Sequence, residues 1–251
     1  MKQAFCIDAE VIVNDSPEGF AEKAADTVLA SIWRAPGPLR LISLSGGSTP
    51  FPVYRLLPAK LAKTGLAECC YWLQTDERLV AADDERSNQK AIRASLFADG
   101  LLPESHFYAV SSARQAAAGN RVADAYQKEL QQLPAQLRSP APIDLIILGI
   151  GNDGHTASLF PETDWQKDFA ADFAVFEPDS QPEARISLTY QRILSARELL
   201  FLVSGGSKQK TIEEIFLNPD SAYPAAVIAR QRQTSWVIDT SAVSPHMRQL
   251  L

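Results

Sequence analysis

Leu148-Gly-Ile-Gly-Asn-Asp-Gly-His-Thr-Ala-Ser-Leu-Phe-Pro161 is the stretch of the chain that decides the fold class. It continues an almost unbroken apolar run, residues 143–147, which predicts a buried parallel strand. Three glycines within six residues then let the backbone turn sharply and approach a ligand closely. His155 ends this turn, and open α/β sheets hold their sites at the carboxyl ends of strands. A turn without a ligand is the alternative for these glycines taken alone.

A second glycine-rich turn, Ser45-Gly-Gly-Ser-Thr-Pro50, follows the strand-like run Leu39–Leu44 and precedes a predicted helix over Phe51–Leu61. A helix amino terminus offers unpaired N–H groups, and glycines leave room for an anion there. The turn lacks the Walker spacing and the third glycine of a dinucleotide fingerprint, so it favours a single phosphate. The residues expected around that phosphate are Gly46, Gly47, Ser48 and Thr49. A helix cap without a ligand is the alternative.

Charged residues follow two further predicted strands. Asp76 and Arg78 come directly after the strand-like run Glu68–Gln74, where they suit a cleft better than a core. Arg78 could bind a phosphate or carboxylate, and Asp76 could act as a base or orient one, although a solvated turn is the alternative. Lys208 ends a third turn, Ser-Gly-Gly-Ser-Lys, where its charge opposes the dipole of the next helix unless an anion binds.

Strand-like and helix-like runs alternate along the chain, which predicts an α/β fold with a mostly parallel, helix-covered sheet. The proline-rich residues 139–142 are a weak boundary, so we expect one domain over residues 1–251. Further helices are predicted at Pro17–Arg34, Ser87–Phe97, Ala113–Leu133 and Ser207–Phe216, and further strands at His106–Val110, Arg185–Thr189, Glu198–Val203 and Ser235–Ile238.

Composition limits the classes of function. Apolar content of 46% and charged content of 22% are typical of a soluble globular protein. The net charge of −6 gives no electrostatic reason to expect nucleic acid or an anionic membrane as a partner. Three cysteines, two of them adjacent, do not form a disulfide framework, and no signal-peptide pattern or membrane-length apolar run is visible, so we expect a cytoplasmic protein. No zinc-ligand spacing is visible among the cysteines and three histidines.

Taken together, the motifs resemble the 6-phosphogluconolactonase family. The turn at 45–50, Asp76-Glu-Arg78 with Ser87-Asn88, the stretch 149–161, Arg185-Ile-Ser-Leu-Thr189 and Gly205-Gly-Ser-Lys208 occur in the family's order and cover nearly the whole chain. The stretch 149–161 is highly specific, whereas the others are shared with glucosamine-6-phosphate deaminases and ribose-5-phosphate isomerases. The resemblance implies a modified Rossmann-like three-layer sandwich.

The same resemblance implies an activity and a set of site residues. The expected reaction is hydrolysis of 6-phospho-D-glucono-1,5-lactone to 6-phospho-D-gluconate in the oxidative pentose phosphate pathway, without a metal or organic cofactor. His155 would be the general base that activates water, and Asp153 and Asp76 match catalytic motif positions whose roles stay open. The phosphate would lie among Gly46, Gly47, Ser48, Thr49, Arg78 and Lys208, with Arg185 reinforcing the site. Monomer and homodimer both stay open.

Three positions depart from the family pattern: Ala81 and Asp84, where the Pro of a Val-Pro pair and a His four residues beyond that Val are frequent, and Asn152, where Pro or Glu is frequent. They affect the shape of loops and leave the expected base in place. A covalent route through Ser158 would need a helix that turns it towards His155, and no Gly-x-Ser-x-Gly elbow is present. Alternatives are a sugar-phosphate deaminase or isomerase, and a non-catalytic sugar-phosphate sensor, which would need an attached DNA-binding helix pair.

Overall fold

The computed structural model describes residues 5–110 and 121–251. The strands are β1 Ala9–Asn14, β2 Arg40–Leu44, β3 Cys70–Gln74, β4 Asp76–Arg78, β5 Phe107–Tyr108, β6 Leu145–Leu148, β7 Phe173–Phe176, β8 Arg185–Leu188, β9 Glu198–Val203 and β10 Thr234–Asp239. The α-helices are α1 Pro17–Arg34, α2 Phe51–Thr64, α3 Asn88–Leu96, α4 Arg121–Glu129, α5 Tyr190–Leu194, α6 Gln209–Leu217, α7 Pro224–Gln231 and α8 Pro245–Arg248.

Seven strands form one parallel sheet in the order β1-β10-β9-β6-β2-β3-β5. The predicted α/β class is therefore confirmed. The chain order reverses between β2 and β6, since β3 and β5 continue on one side and β9 and β10 on the other. The carboxyl ends of β3, β2, β6 and β9 therefore lie at the same end of the sheet. They flank the topological switch point, which is where α/β sheets bind ligands.

Side chains of the parallel strands alternate between the two faces of the sheet, and helices cover both faces, so the fold has three layers. In β6, Leu145 and Ile147 face a buried cluster with helices α1, α2 and α3, whereas Ile146 and Leu148 face a second cluster with α4 to α8. Successive side chains of a strand point to opposite faces, so a strand covered on both faces has to be apolar throughout. All four β6 residues are buried, which explains why this run is the clearest strand in the sequence.

Helix α1 begins and ends where its sequence predicts. The Ser16 hydroxyl accepts a hydrogen bond from the Gly19 amide at 3.0 Å, and Pro17 occupies the first turn, where a missing N–H costs nothing. Its buried face repeats at helical spacing through Phe20, Ala24 and Val28. Large apolar side chains such as Phe20 and Val28 contribute about 1.5–3 kcal/mol each when fully buried, so packing on the sheet fixes the helix.

A second, three-stranded antiparallel sheet, β4-β8-β7, was not predicted. Its strand β4 is the charged segment Asp76–Arg78, expected above as an irregular end of β3. Strands β1 and β7 were also missed. None of the six residues of β1 is fully buried, and two of them are polar, so its pattern does not stand out. Strand β7 is apolar but contains only four residues, Phe173–Phe176.

Several predicted boundaries are corrected. Strand β3 starts at Cys70 because Ala67–Cys69 form a 3₁₀ turn, and α6 starts at Gln209 after a similar turn at Gly206–Lys208. Strand β5 contains only Phe107 and Tyr108. The helix predicted at 113–133 begins outside the described residues; within them it ends at Glu129 and is followed by a 3₁₀ turn.

Candidate active site

A cleft of about 430 Å³ lies at the shared carboxyl edge of β2, β6 and β9. Loops from both sheets form its walls. The sequence-predicted site residues that line it are Gly46, Gly47, Ser48, Thr49, Asp76, Arg78, His155, Arg185 and Lys208. Asp153 is not among the residues that line the cleft, but it contacts His155, which is. Segments far apart in sequence thus meet because parallel strands end at one edge.

The His155 ring is held by Asp153. Its Nδ1 atom lies 2.6 Å from Asp153 Oδ1, and the same oxygen accepts a hydrogen bond from the His155 amide at 3.2 Å. The His155 ring also packs on the ring of Phe160, with the two ring centroids 4.2 Å apart. A carboxylate at Nδ1 assigns the proton to that nitrogen, which leaves Nε2 with a free lone pair in neutral imidazole. His155 therefore has the geometry of a base.

Two glycines make this arrangement possible. A Cβ atom at Gly151 would lie 2.1 Å from His155 Nδ1, so a side chain there would displace the ring. Gly154 has φ +78°, and a Cβ atom there would lie 2.1 Å from the ring of Tyr223. Both glycines are required by close approach, so the glycine-rich stretch serves the placement of the ring.

No helix follows the turn, which settles the orientation of Ser158. Residues 156–159 form a tight turn closed by a bridge between Thr156 and Leu159. The buried Ser158 hydroxyl donates to Asp76 Oδ2 at 2.6 Å. Ser158 is thus engaged with Asp76, and the helical spacing that would have turned it towards His155 is absent.

The first glycine-rich turn leads into the amino terminus of α2. No side chain caps this helix among the described contacts, and the buried Ser45 hydroxyl has no hydrogen-bond partner within residues 5–110 and 121–251. Gly47 has φ +93°, and a Cβ atom at Gly46 would lie 1.9 Å from Asn88 Oδ1. Pro50 and Pro52 have no N–H, so the donors for an anion here are the remaining amides of the turn and the buried Ser45 hydroxyl, next to glycine backbone without side chains.

Two arginines face each other across the small sheet. Arg78 of β4 pairs in register with Arg185 of β8, and like charges placed opposite each other destabilise a sheet. Arg78 donates to the Arg86 carbonyl at 2.7 Å, and Arg185 donates to Gln181 Oε1 at 2.7 Å. Within the described parts of the chain the buried Nε atoms of both arginines have no acceptor. Burial, followed by the charge of Arg78, lowers the pKa of Arg185. An anion between these side chains would relieve the repulsion.

Lys208 approaches from the loop after β9. Its Nζ atom donates to Asn152 Oδ1 at 2.8 Å, and the Asn152 carbonyl accepts from the Thr211 hydroxyl at 2.9 Å. Burial lowers the pKa of Lys208, and the negative charge of Asp153 partly offsets this. Lys208 keeps further N–H donors for a ligand, since an ammonium group has three.

Four residues at the cleft were missed or not assigned a role by the sequence. Asn88 donates to the Asp76 carbonyl at 3.0 Å, and Gln181 lines the wall beside Arg185. Asn152, noted only as a departure from the family pattern, holds Lys208. Glu77 is buried beneath Asp76 and Arg78. Only Asn88 had a usable signal, since it follows the helix cap Ser87.

The described residues contain no group of three or more His, Cys, Asp and Glu side chains that could hold a metal ion. The three cysteines are free thiols. No helix in the described ranges has the length and apolarity needed to cross a membrane.

The profile of the family "Glucosamine-6-phosphate isomerases/6-phosphogluconolactonase" matches residues 15–236. The chain belongs to this family. A 6-phosphogluconolactonase of Synechocystis sp. is 37% identical over 205 residues, which are 80% of this chain and 82% of the relative. The structure of a 6-phosphogluconolactonase from Trypanosoma cruzi superposes with a TM-score of 0.79 at 26% identity, covering 94% of this chain and 96% of the other.

A monomeric glucosamine-6-phosphate deaminase has the same fold, with a TM-score of 0.74 at 22% identity, covering 93% of this chain and 98% of the other. The fold therefore does not separate the two activities of the family. A 6-phosphogluconolactonase of Haemophilus influenzae is 35% identical over 214 residues, which are 80% of this chain and 85% of the relative.

Proposed function

We propose that this enzyme hydrolyses 6-phospho-D-glucono-1,5-lactone to 6-phospho-D-gluconate, with His155 as the base that activates water. Lactone hydrolysis is supported by the 6-phosphogluconolactonase relatives. The role of His155 is carried by one observation: its ring lines the cleft while its Nδ1 atom is held 2.6 Å from Asp153. The hydrogen bond at Nδ1 orients the ring and leaves Nε2 to take the proton of a water molecule.

The proton follows a short path in this proposal. Nε2 of His155 takes a proton from water as the oxygen attacks the lactone carbonyl, and a negative charge develops on the carbonyl oxygen. The carbon–oxygen bond of the ring then breaks, and the imidazolium returns its proton to the leaving ring oxygen. Asp153 stabilises the transient imidazolium, because a carboxylate next to a cation favours the charged form. A general base of this kind contributes about 10²–10⁴-fold to the rate.

The phosphate of the substrate supplies remote binding energy that orients the lactone. We assign it to the amino terminus of α2 and to Arg78 and Lys208, with Arg185 reinforcing the site. The free Ser45 hydroxyl and the facing arginines support this assignment. Asp76 accepts from Ser158 and lines the same cleft, next to Arg78 in the chain.

The remaining features of the proposal concern the setting of the enzyme. We place it in the cytoplasm as a single domain over residues 1–251, acting on a small sugar-phosphate lactone and on neither nucleic acid nor a membrane. The net charge of −6 and the free thiols support this setting. Neither a metal nor an organic cofactor is expected.

A direct assay separates the two activities of the family. Purified protein is given 6-phosphogluconolactone and, separately, glucosamine 6-phosphate, with spontaneous lactone hydrolysis subtracted. We expect turnover of the lactone alone. Ammonia release from glucosamine 6-phosphate without lactone turnover would make the enzyme a deaminase, and binding of both compounds without turnover would make it a sensor.

A further inference from the structure

Glu77 is the most deeply buried carboxylate next to the cleft, with none of its surface exposed. Its side chain connects the end of β3, strand β4 and the amino terminus of α3. It accepts five hydrogen bonds: from the backbone amides of Arg78 at 2.7 Å, Asn88 at 2.8 Å and Gln89 at 2.7 Å, from Gln74 Nε2 at 2.8 Å and from the Ser87 hydroxyl at 3.2 Å.

Four of the five partners are N–H groups, which can only donate. The Val110 amide donates to Gln74 Oε1 at 2.8 Å, which turns the Gln74 amide nitrogen towards Glu77. This arrangement favours a carboxylate that accepts. Burial raises the pKa of Glu77 overall, although the hydrogen bonds act in the opposite direction. Carboxylates that accept several backbone amides are strongly stabilised in the charged form.

The neighbours of Glu77 are the residues that line the phosphate end of the cleft. Asp76 and Arg78 precede and follow it, and Asn88 is bound through its backbone amide. Asn88 in turn donates to the Asp76 carbonyl and leaves no room for a side chain at Gly46. One buried carboxylate therefore fixes Asp76, Arg78 and Asn88 relative to the glycine turn.

We propose that Glu77 is a positioning residue for the phosphate end of the site: it holds Arg78 and Asn88 in place against the Gly46 turn and touches no substrate itself. This inference rests on the proposed function for its kinetic test, and phosphate binding tests it independently. A purely structural role predicts loss of stability alone, whereas a positioning role predicts loss of selectivity for the phosphorylated substrate.

The main variant is Glu77→Gln, which keeps the size of the side chain but turns an amide NH₂ group towards the donors. We expect KM for 6-phosphogluconolactone to rise about tenfold or more, because small displacements of a binding group are costly. KM for unphosphorylated gluconolactone should change much less. The dissociation constant of inorganic phosphate, measured by calorimetry, should rise in parallel.

Asp144→Asn is the matched control. Asp144 is a similarly buried carboxylate that accepts from the Leu41 amide at 2.9 Å, but it precedes β6 and lies at the opposite edge of the sheet. This variant should lower Tm and leave the ratio of the two KM values unchanged. If Glu77→Gln behaves like Asp144→Asn, the positioning role is wrong.

A milder variant protects the test against a failure to fold. Ser87→Ala removes one of the five hydrogen bonds and the cap of α3, and Ser16→Ala removes the corresponding cap of α1, which does not line the cleft. We expect a smaller rise of the same KM ratio in Ser87→Ala and none in Ser16→Ala. An unchanged ratio in Ser87→Ala, with Glu77→Gln unfolded, would overturn the inference. Wild-type protein that binds phosphate but leaves the lactone intact would instead refute the proposed function, and phosphate calorimetry on the variants would still decide the role of Glu77.

Discussion

The two sheets of the molecule contribute differently to one cleft. The parallel sheet is built from apolar strands, and its loops supply glycine backbone, the His155 ring and Lys208. The antiparallel sheet is built from short strands, two of which carry Asp76, Arg78 and Arg185. Both sheets thus contribute to the core and to the cleft, but in different ways: the parallel sheet places functional groups on its loops, whereas the small sheet carries charged side chains on its strands.

This difference predicts a kinetic division. Changes at His155, on the parallel sheet's central loop, should act on the chemical step and therefore on kcat. Changes at the arginines of the small sheet should act on binding of the phosphate and therefore on KM. Loss of an interaction made only in the transition state lowers kcat and kcat/KM together, whereas loss of uniform binding raises KM and leaves kcat unchanged.

The largest effect is expected for His155→Asn. Loss of the base should reduce kcat by about 10²–10⁴-fold, while the product 6-phosphogluconate still binds with nearly unchanged affinity. The measurement is turnover corrected for spontaneous hydrolysis, together with calorimetric titration of the product. A variant with nearly full turnover would remove His155 from the chemistry, and a variant that no longer binds product would end the division between the sheets.

A smaller effect is expected for Arg78→Ala and Lys208→Ala. Each should weaken binding of the phosphorylated lactone by about 1.5–3 kcal/mol, the usual cost of a lost hydrogen bond to a charged group. Unphosphorylated gluconolactone should be affected much less, because it offers these cations no anion. The ratio of KM values for the two substrates measures this directly. Equal losses on both substrates would place the two cations at the reacting end or in folding.

A still smaller effect is expected for Asp153→Asn, about tenfold in kcat, because the His155 ring loses the partner that fixes its tautomer.

Burial alone would raise the pKa of Asp153, but the hydrogen bonds and charge of His155 outweigh it, so the pKa lies below its usual range. A lowered pKa keeps the carboxylate ionised throughout the weakly acidic range, and its contribution is lost only as the pH falls through that lowered value. The pH profile of wild-type kcat above about pH 5 should therefore show no titration of Asp153.

Every strand of the parallel sheet except β1 could be predicted from the sequence, whereas in the small sheet only β8 could. Strands such as β6 and β9 are almost entirely apolar, which predicts buried strands, and the glycine-rich turns that follow them mark where they end. Strand β4 consists of three charged residues, and it is a strand only because β8 pairs with it more than a hundred positions later. Pairing over that distance leaves no local pattern.

The same limit applies to the site. His155, Arg78 and Lys208 stand next to glycine turns or strand ends, where a polar side chain predicts a cleft. Glu77 was passed over because a carboxylate is expected at the surface, and its burial depends on donors from three separate segments. The pairs Asn152–Lys208 and Ser158–Asp76 likewise join residues 56 and 82 positions apart.

The smallest expected effect is none, on removal of metal ions. The division between the sheets assigns proton transfer to His155 and charge stabilisation to fixed donors, and lactone hydrolysis with these groups needs no Lewis acid. Exhaustive chelation followed by assay in metal-free buffer should leave kcat and KM unchanged. Activity that disappears and returns with a divalent ion would make His155 a ligand, together with Asp153 or Asp76. The loop of the parallel sheet and the charged strand β4 would then share one metal centre, and the two ends of the cleft could no longer be perturbed separately.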